Sequence, residues 1–336
     1  MAYTTIPKSS DYFNTKLYTG NGSTNAITGV GFQPDFTWLK NRSVLQNHEL
    51  YDAVRGVTKA IFASTTSVET TYTNGLNAFG TDGFTVGDSA YINGSGNNIA
   101  SWNWLANGAG SANTAGSINT TVSVNTTSGF SIVKWTGNST AGETIGHGLG
   151  VTPKVVIIKR LTGSAQSWIC KFPTATDGYL ALDTTDAISA SSGWLPVSNS
   201  LITLANNWSA YNNNGNDFIA YCFAEKQGYS KFGSYTGNGS ADGPFIYTGF
   251  KPAFIMIKRT DDAANWTIYD NKRLGYNVGN SYILVTNDAE GTGINIDLLS
   301  NGFKARQATS NEINTSGASY IYMAFAEEPL VGDNPA

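Results

Sequence analysis

Two pairs of adjacent carboxylates, Asp261-Asp262 and Glu327-Glu328, and two histidines, His48 and His147, are the side chains whose types could do acid–base or metal chemistry. A glycoside hydrolase needs two carboxyl groups facing each other across a cleft, about 5–10 Å apart. Neighbours in one chain do not supply that arrangement, and solvated loop charges account for both pairs. The histidines occupy unrelated settings, His147 between glycines in IGHGLG and His48 before Glu49, which gives no support to a metal centre or a Ser-His-Asp triad. Thr81-Asp82-Gly83 reads as a turn, without the spaced Asp ligands and terminal Glu of a calcium loop. No Walker, dinucleotide-binding or CxxC pattern occurs. The expectation is therefore a protein with no catalytic residues, no metal site and no cofactor. Binding chemistry has better candidates. Trp194, Trp208 and Tyr211 lie in Ser- and Asn-rich surroundings, where aromatic faces could stack on sugars; packing at the rim of a core is their plainer role.

The hexapeptide YTGNGS occurs at 18–23 and again at 235–240, with the near copy WTGNST at 135–140. It could present Asn and backbone groups to a glycan. Turn sterics alone also call for Gly and Asn there, because both accept positive φ at little cost. A Pro before an apolar run marks a second recurrence: GFQPDFTWLK with Pro34, GVTPKVVIIK with Pro153 and GFKPAFIMIK with Pro252. Six residues after each Pro stands a lysine, Lys40, Lys159 and Lys258, placed to reach solvent or a carboxylate from the strand end. Aromatic-rich segments close the units at Trp104, Phe223 and Phe325. Pro34 to Trp104 and Pro153 to Phe223 are both 70 positions, and Pro252 to Phe325 is 73.

The elements that must position these residues read as strands. Charged residues are only 13% of the chain, while 17 Tyr, 16 Phe and 8 Trp offer ample material for a core, so disorder does not fit. No helix-length stretch shows 3.6 periodicity. Short alternating runs separated by Gly, Asn and Ser predict an all-β fold of three tandem jelly-roll-like β-sandwich repeats, each of about 100 residues. Trp102, Trp104, Trp168 and Trp266 fall on those strands and are expected in the core. The boundaries read as an N-terminal arm at 1–15, repeats at 16–108, 127–228 and 229–330, and a tail at 331–336. Between the first two repeats AGSANTAGSINTTVSVNT (109–126) has the composition of a flexible linker. Repeats two and three abut and are expected to pack as a pair. Cys170 and Cys222 read as small core residues. The net charge of −4 carries no basic footprint for nucleic acid, and no apolar run approaches the roughly 20 residues of a membrane helix. MAYTTIPKSS lacks the charged and apolar regions of a signal peptide, so synthesis in a cytosol is expected.

Three long segments, GYSKFGSYTGNGSADGPFIYTGFKPAFIMIKRTD (228–261), ASYIYMAFAEEPL (318–330) and GHGLGVTPKVVIIKR (146–160), resemble a repeat domain of tailed-phage virion proteins. The opening DYFNTKLYTGNGSTNAITGVGFQPDFTWLKNRS with LYDAVRG (50–56) is similar to versions common in marine phages and cyanophages. The resemblance spans about residues 11 to 330 and brings no catalytic residues. It implies a bacteriophage virion protein made in the host cytoplasm and displayed on the exterior of tail or capsid. One expected role is tail-fibre- or spike-like adhesion to a host-surface glycan or protein. The alternative is a structural role as capsid decoration, head fibre or tail adaptor. An enzyme such as a depolymerase finds no specific feature in the sequence. Expected partners are other virion proteins, through residues 1–15, and the host surface, within a homo-oligomer, by analogy with phage fibres a trimer.

Overall fold

The computed structural model describes residues 4–173, 178–190, 195–273, 277, 281–308 and 310–329. Strands hold 44% of the chain and helix 2%, so the fold is all-β, as the aromatic and β-branched runs between turn residues require. Three six-stranded antiparallel sheets carry it. In the first, Phe13–Thr19 pairs with the closing strand Asn98–Trp104, which pairs with Phe36–Asn41, followed by Glu49–Asp52, Lys59–Phe62 and Thr70–Thr71. The third repeats the order with Ser230–Thr236, Ser319–Pro329, Phe250–Arg259, Thr267–Asp270, Ser281–Leu284 and Gly291–Thr292. The second keeps the same centre, Phe130–Thr136, Asp217–Phe223, Val155–Arg160 and Ile169–Lys171. It grows on the opposite edge through Thr120–Asn125 and Ser111–Asn113.

That edge corrects the linker expectation. Residues 109–126 hold two strands, because the Thr-Val-Ser-Val alternation within a Gly- and Ser-rich stretch has the period of a strand and buries Val122. The N-terminal arm is likewise built in: Phe13–Thr15 belong to the opening strand, and Ile6 is fully buried in the common core.

Each sheet turns one face toward the other two, and the three faces make a single apolar cluster. At its centre the closing strands each contribute one ring. Trp104, Phe223 and Phe325 form a triangle with centroid separations of 6.2, 5.6 and 5.8 Å, within the range of favourable aromatic contacts. The void beside them is only about 10 Å³, at the lower limit for a single water, and its apolar walls lack the polar partners an ordered water needs. Trp102, Trp168 and Trp266 are buried in the same cluster, as expected. So is Cys170, while Cys222 sits in the core behind the second sheet; both thiols are free, and burial pushes Cys222 up to about 12.

The contacts around the centre run in one direction. Lys40 donates to the carbonyl of Thr286 at 3.4 Å, Lys159 to that of Thr65 at 3.2 Å and Lys258 to that of Thr185 at 3.0 Å. The first sheet thus grips the third, the second grips the first and the third grips the second. A pair of backbone hydrogen bonds doubles each grip: Gln46 to Asn287 and Glu290 to Arg42, Gln166 to Thr66 and Glu69 to Leu161, Ala264 to Thr185 and Ile188 to Thr260. Head-to-tail contacts of this kind either close into a ring or propagate, and here they close within one chain. The first repeat is therefore engaged as fully as the other two. The lysines neither reach solvent nor pair with a carboxylate as their main contact. All three are buried, and burial lowers each to about 8.

A polar pair adds to two of the three junctions. Trp102 Nε1 donates to Asp270 at 3.0 Å, and Tyr221 Oη donates to Asp52 at 2.8 Å. Each aspartate is also paired to a buried arginine, Arg273 or Arg55. At the third junction the corresponding positions hold Met323 and Phe172, both in the apolar cluster. Donor and acceptor are present together or absent together, as burial of an unpaired polar group would demand.

Candidate functional site

The TGN turns are the most regular feature outside the core. Asn93, Asn212 and Asn314 are fully buried, and their side-chain oxygens accept the N–H of Asn21, Asn138 and Asn238 at 3.1, 3.0 and 2.9 Å. Their Nδ2 groups donate to the carbonyls of Ser23, Thr140 and Ser240. A Cβ on Gly20 or Gly237 would fall 2.3 or 2.2 Å from the carbonyl oxygen of Gly94 or Thr315, so the glycine is required by close approach of backbone. The hexapeptide is thus a turn clamped onto the loop before each closing strand. The clamping asparagines escaped the sequence reading, although each stands 11 positions before its closing ring.

The other chemical candidates are also tied into structure. His48 accepts the Trp38 Nε1–H at 2.8 Å on Nδ1 and donates from Nε2 to the Leu284 carbonyl at 2.8 Å; burial holds it neutral, well below the usual histidine range. His147 is buried, with Nδ1 accepting from Leu149 and Nε2 facing the Ser198 carbonyl. Asp261 and Asp262 both face Arg259, at 3.0 and 3.5 Å, and Glu327 faces Lys251 at 2.9 Å. Asp82 accepts from the backbone of Gly29 and Gly31, which holds its carboxyl below the usual range. Among the described residues no group of three or more His, Cys, Asp or Glu could hold a metal ion.

The expected stacking residues do not form an exposed platform. Tyr211 is fully buried, donating to Asn206 at 2.5 Å and meeting Trp208 edge-on at 5.6 Å. Trp208 is half-buried and packs on Tyr179 at 5.0 Å. Both serve the core behind the second sheet, because the loop folds back onto it. Trp194 lies outside the described residues.

A better platform stands behind the third sheet. There Phe245–Tyr247 forms the edge of a small sheet with Gly302–Ala305 and Ile296–Leu299. Strand alternation sends Ile246 inward, opposite Phe303, and leaves Phe245 and Tyr247 on the outer face, 46% and 54% exposed. The same small sheet behind the first repeat has Ile27 inward opposite Phe84, flanked outside by Ala26 and Thr28. Behind the second, Ile145 is flanked by Thr144 and Gly146. The inward residue is Ile in all three, and only the third carries rings outside. The signal was present in the sequence as Phe-Ile-Tyr after Pro244.

Residues two apart on a strand are about 7 Å from each other, so the two rings make a shelf as wide as one sugar ring. Phe245 also covers Gly302: a Cβ there would come within 3.0 Å of the ring. Beside the shelf Lys304, opposite Phe245 in the pairing, is bound to Asp242, and Arg306 faces both Asp242 at 3.8 Å and Asp297 at 3.4 Å. Lys304 holds the Asp242 carboxyl below the usual range. Aromatic faces next to a balanced row of donors and acceptors can hold the C–H face and the hydroxyls of a sugar together.

No curated protein and no solved structure matches the chain. A family model described as a domain of unknown function (DUF7483) matches residues 8–329. That span takes in all three sheets and the ring they close, and the chain belongs to this family.

Proposed function

We propose that the protein is a bacteriophage virion surface component of tail-fibre or spike type that adheres to host-surface glycan without catalysis. The observation that carries this reading is the exposed Phe245–Tyr247 pair, which one repeat holds and its two internal counterparts lack. Exposed aromatics on an edge strand invite aggregation, so their retention on a three-residue edge suits a binding role. The reading takes the chain as three tandem jelly-roll-like sandwiches of about 100 residues, each joining a large sheet to a small one. Closure of the ring within one chain uses up the threefold contacts, so any homo-oligomer would assemble through outer surfaces. Binding of purified host polysaccharide by the intact chain tests the proposal. Replacing both rings, Phe245→Ala with Tyr247→Ala, should weaken binding about tenfold or more, as loss of aromatic anchors does. Full binding by the double variant would remove the shelf as the adhesive site.

A structural role, as capsid decoration, head fibre or tail adaptor, is favoured by the built-in arm. Ile6 and Ser9 are buried while Thr5, Pro7 and Lys8 face outward. Anchoring through residues 1–15 is best tested by charge substitutions at Thr5 and Pro7, because removing residues 1–10 would also strip the core. Normal incorporation of such a variant into particles would exclude the arm as anchor.

A further inference from the structure

The small sheet behind each repeat has an edge strand: Asn25–Thr28, Glu143–Gly146 and Phe245–Tyr247. In the second repeat a piece of the chain covers that edge. Ile118 bridges Ile145 in parallel and packs on the core behind the second sheet. Its N–H donates to the Thr144 carbonyl at 3.0 Å, the Thr144 N–H donates to Ser117 Oγ at 2.8 Å, and Thr120 Oγ1 donates to the Gly146 carbonyl at 3.2 Å. A Cβ on Gly116 would fall 2.4 Å from the Thr144 oxygen, so the covering segment needs its glycine. The covered Ile145 is fully buried, whereas Ile27 and Ile246 at the uncovered edges are 5% and 6% exposed. Trp135 is buried where Tyr18 and Tyr235 are half-buried.

The third repeat presents the same edge bare. Pro244 accepts the Ala305 N–H, and Thr248 donates to the Asn301 carbonyl. Antiparallel pairing alternates residues that bond inward with residues that bond outward. Ile246 therefore also bonds inward, and Phe245 and Tyr247 turn their N–H and C=O groups to the open side. Among the described residues no hydrogen bond reaches those groups. Phe245 leans back over Gly302, which leaves the edge clear of its ring. An open edge is a template for another strand, and a lysine beside it is a common guard. The first repeat has that guard: the Lys16 ammonium lies beside Gly29, at the end of its edge strand. Strand register puts Gly233 in the place of Lys16 in the third repeat.

We infer that the open edge of Phe245–Tyr247 takes an extended segment of a second polypeptide as an added parallel strand, with the pattern glycine, small hydroxyl residue, isoleucine that covers the second repeat. Phe245 stands where Thr144 does and Tyr247 where Gly146 does, one position either side of the inward isoleucine. The Phe245 carbonyl then accepts the N–H of the incoming isoleucine, its N–H donates to the incoming hydroxyl, and the isoleucine closes over Ile246. Main-chain bonds supply affinity in this mode, and the side-chain position supplies specificity. The inference goes beyond the adhesion reading: it uses the backbone edge of the strand, while the glycan shelf uses the faces of its rings.

The probe is a synthetic peptide of residues 112–121, added to the full chain, whose own copy of that segment already occupies the second repeat. The peptide should bind with a dissociation constant of about 1 mM or tighter in an NMR titration. Hydrogen exchange read by mass spectrometry should slow at residues 244–248. Methylating the peptide nitrogen of Ile118 removes its donor and should weaken binding about fivefold or more. Phe245→Pro removes an N–H that bonds to nothing in the free chain, and proline is tolerated on an edge strand with that side open; a thermal melt checks the fold. This variant should lose affinity about fivefold or more, whereas Phe245→Ala, which lacks the same ring but keeps the N–H, should still bind. Unslowed exchange at 244–248, equal affinity for the methylated peptide, or equal binding by the Pro and Ala variants would overturn the inference. Failure of the peptide with polysaccharide binding intact sinks the added strand alone, and the converse sinks the shelf alone.

Discussion

Glu49 shows at the scale of one residue what an internal counterpart reveals. Its equivalents by strand register are Ile169 and Thr267, and it is fully buried with one oxygen accepting the Tyr51 hydroxyl at 2.6 Å and the other unpartnered. Burial pushes its carboxyl up to about 7. Between the ordinary value of 4.5 and about 7 the folded chain keeps a proton that the unfolded chain has released. Its contribution to stability is full below that window and falls as pH rises through it. Glu49→Gln should flatten this slope and make the protein more stable above pH 7 by about 3 kcal/mol. Urea titrations on both sides of the window check it; an unchanged slope would show that another group titrates. At this scale the sequence was partly legible. The glycines of YTGNGS announced a turn, but its asparagine clamp lies more than 70 positions away, and only alignment of the three copies on their closing rings exposes it. Trp208 and Tyr211 misled because polar neighbours in sequence need not be neighbours in space, and their loop folds back onto the core.

Among elements, the strand after each proline and the one that follows it exchange bulk between copies. Trp38 and His48 in the first repeat stand where Ile157 and Trp168, then Met256 and Trp266, stand in the others. The large ring lies on one strand in the first copy and at the entry to its neighbour in the other two. In each case the residue just before the second strand bonds a carbonyl of the next repeat: His48 to Leu284, Trp168 to Phe62 and Trp266 to Ala181. His48→Trp alone should overpack against Trp38 and cost about 1–3 kcal/mol. Trp38→Ile alone should open a cavity and take the Trp38 bond from His48, at about 3–5 kcal/mol. Together they should recover part of the loss, with a coupling of about 0.5–3 kcal/mol in a double-mutant cycle by chemical denaturation. Additive effects would mean that the two sites pack independently. Strand existence and the equivalence of the proline segments could be read from period-2 patterns and spacing. The strands within 109–126 could not, because their composition is that of a linker and only the Thr-Val-Ser-Val alternation betrays them.

The whole molecule depends on all three faces meeting. Among the second-repeat side chains in the common cluster are Phe130, Ile132, Ile157, Trp168, Ile219, Tyr221 and Phe223. Exposing seven such side chains costs on the order of 10 kcal/mol or more, about the total stability of a typical domain. Residues 127–228 by themselves should show no cooperative thermal transition, while the intact chain melts in one step by calorimetry; a cooperative melt of the fragment would refute the shared core as its source of stability. The threefold count was legible in the spacing of Pro34, Pro153 and Pro252. The ring was not, because which loop reaches which neighbour depends on lysines whose partners are carbonyls, and carbonyls carry no sequence signature. Joining the three copies in one chain also changes what a single mutation does. In an assembly of identical subunits every codon change is written three times, so a new Asp would face an unaltered partner at all three junctions simultaneously. Here the Asp52–Tyr221 and Asp270–Trp102 pairs could arise one junction at a time while Phe172 and Met323 kept the third apolar, and the outer rings of the third repeat could be gained without burdening the other two. Tandem fusion releases each copy to drift and be selected on its own, at the genetic cost of a longer open reading frame.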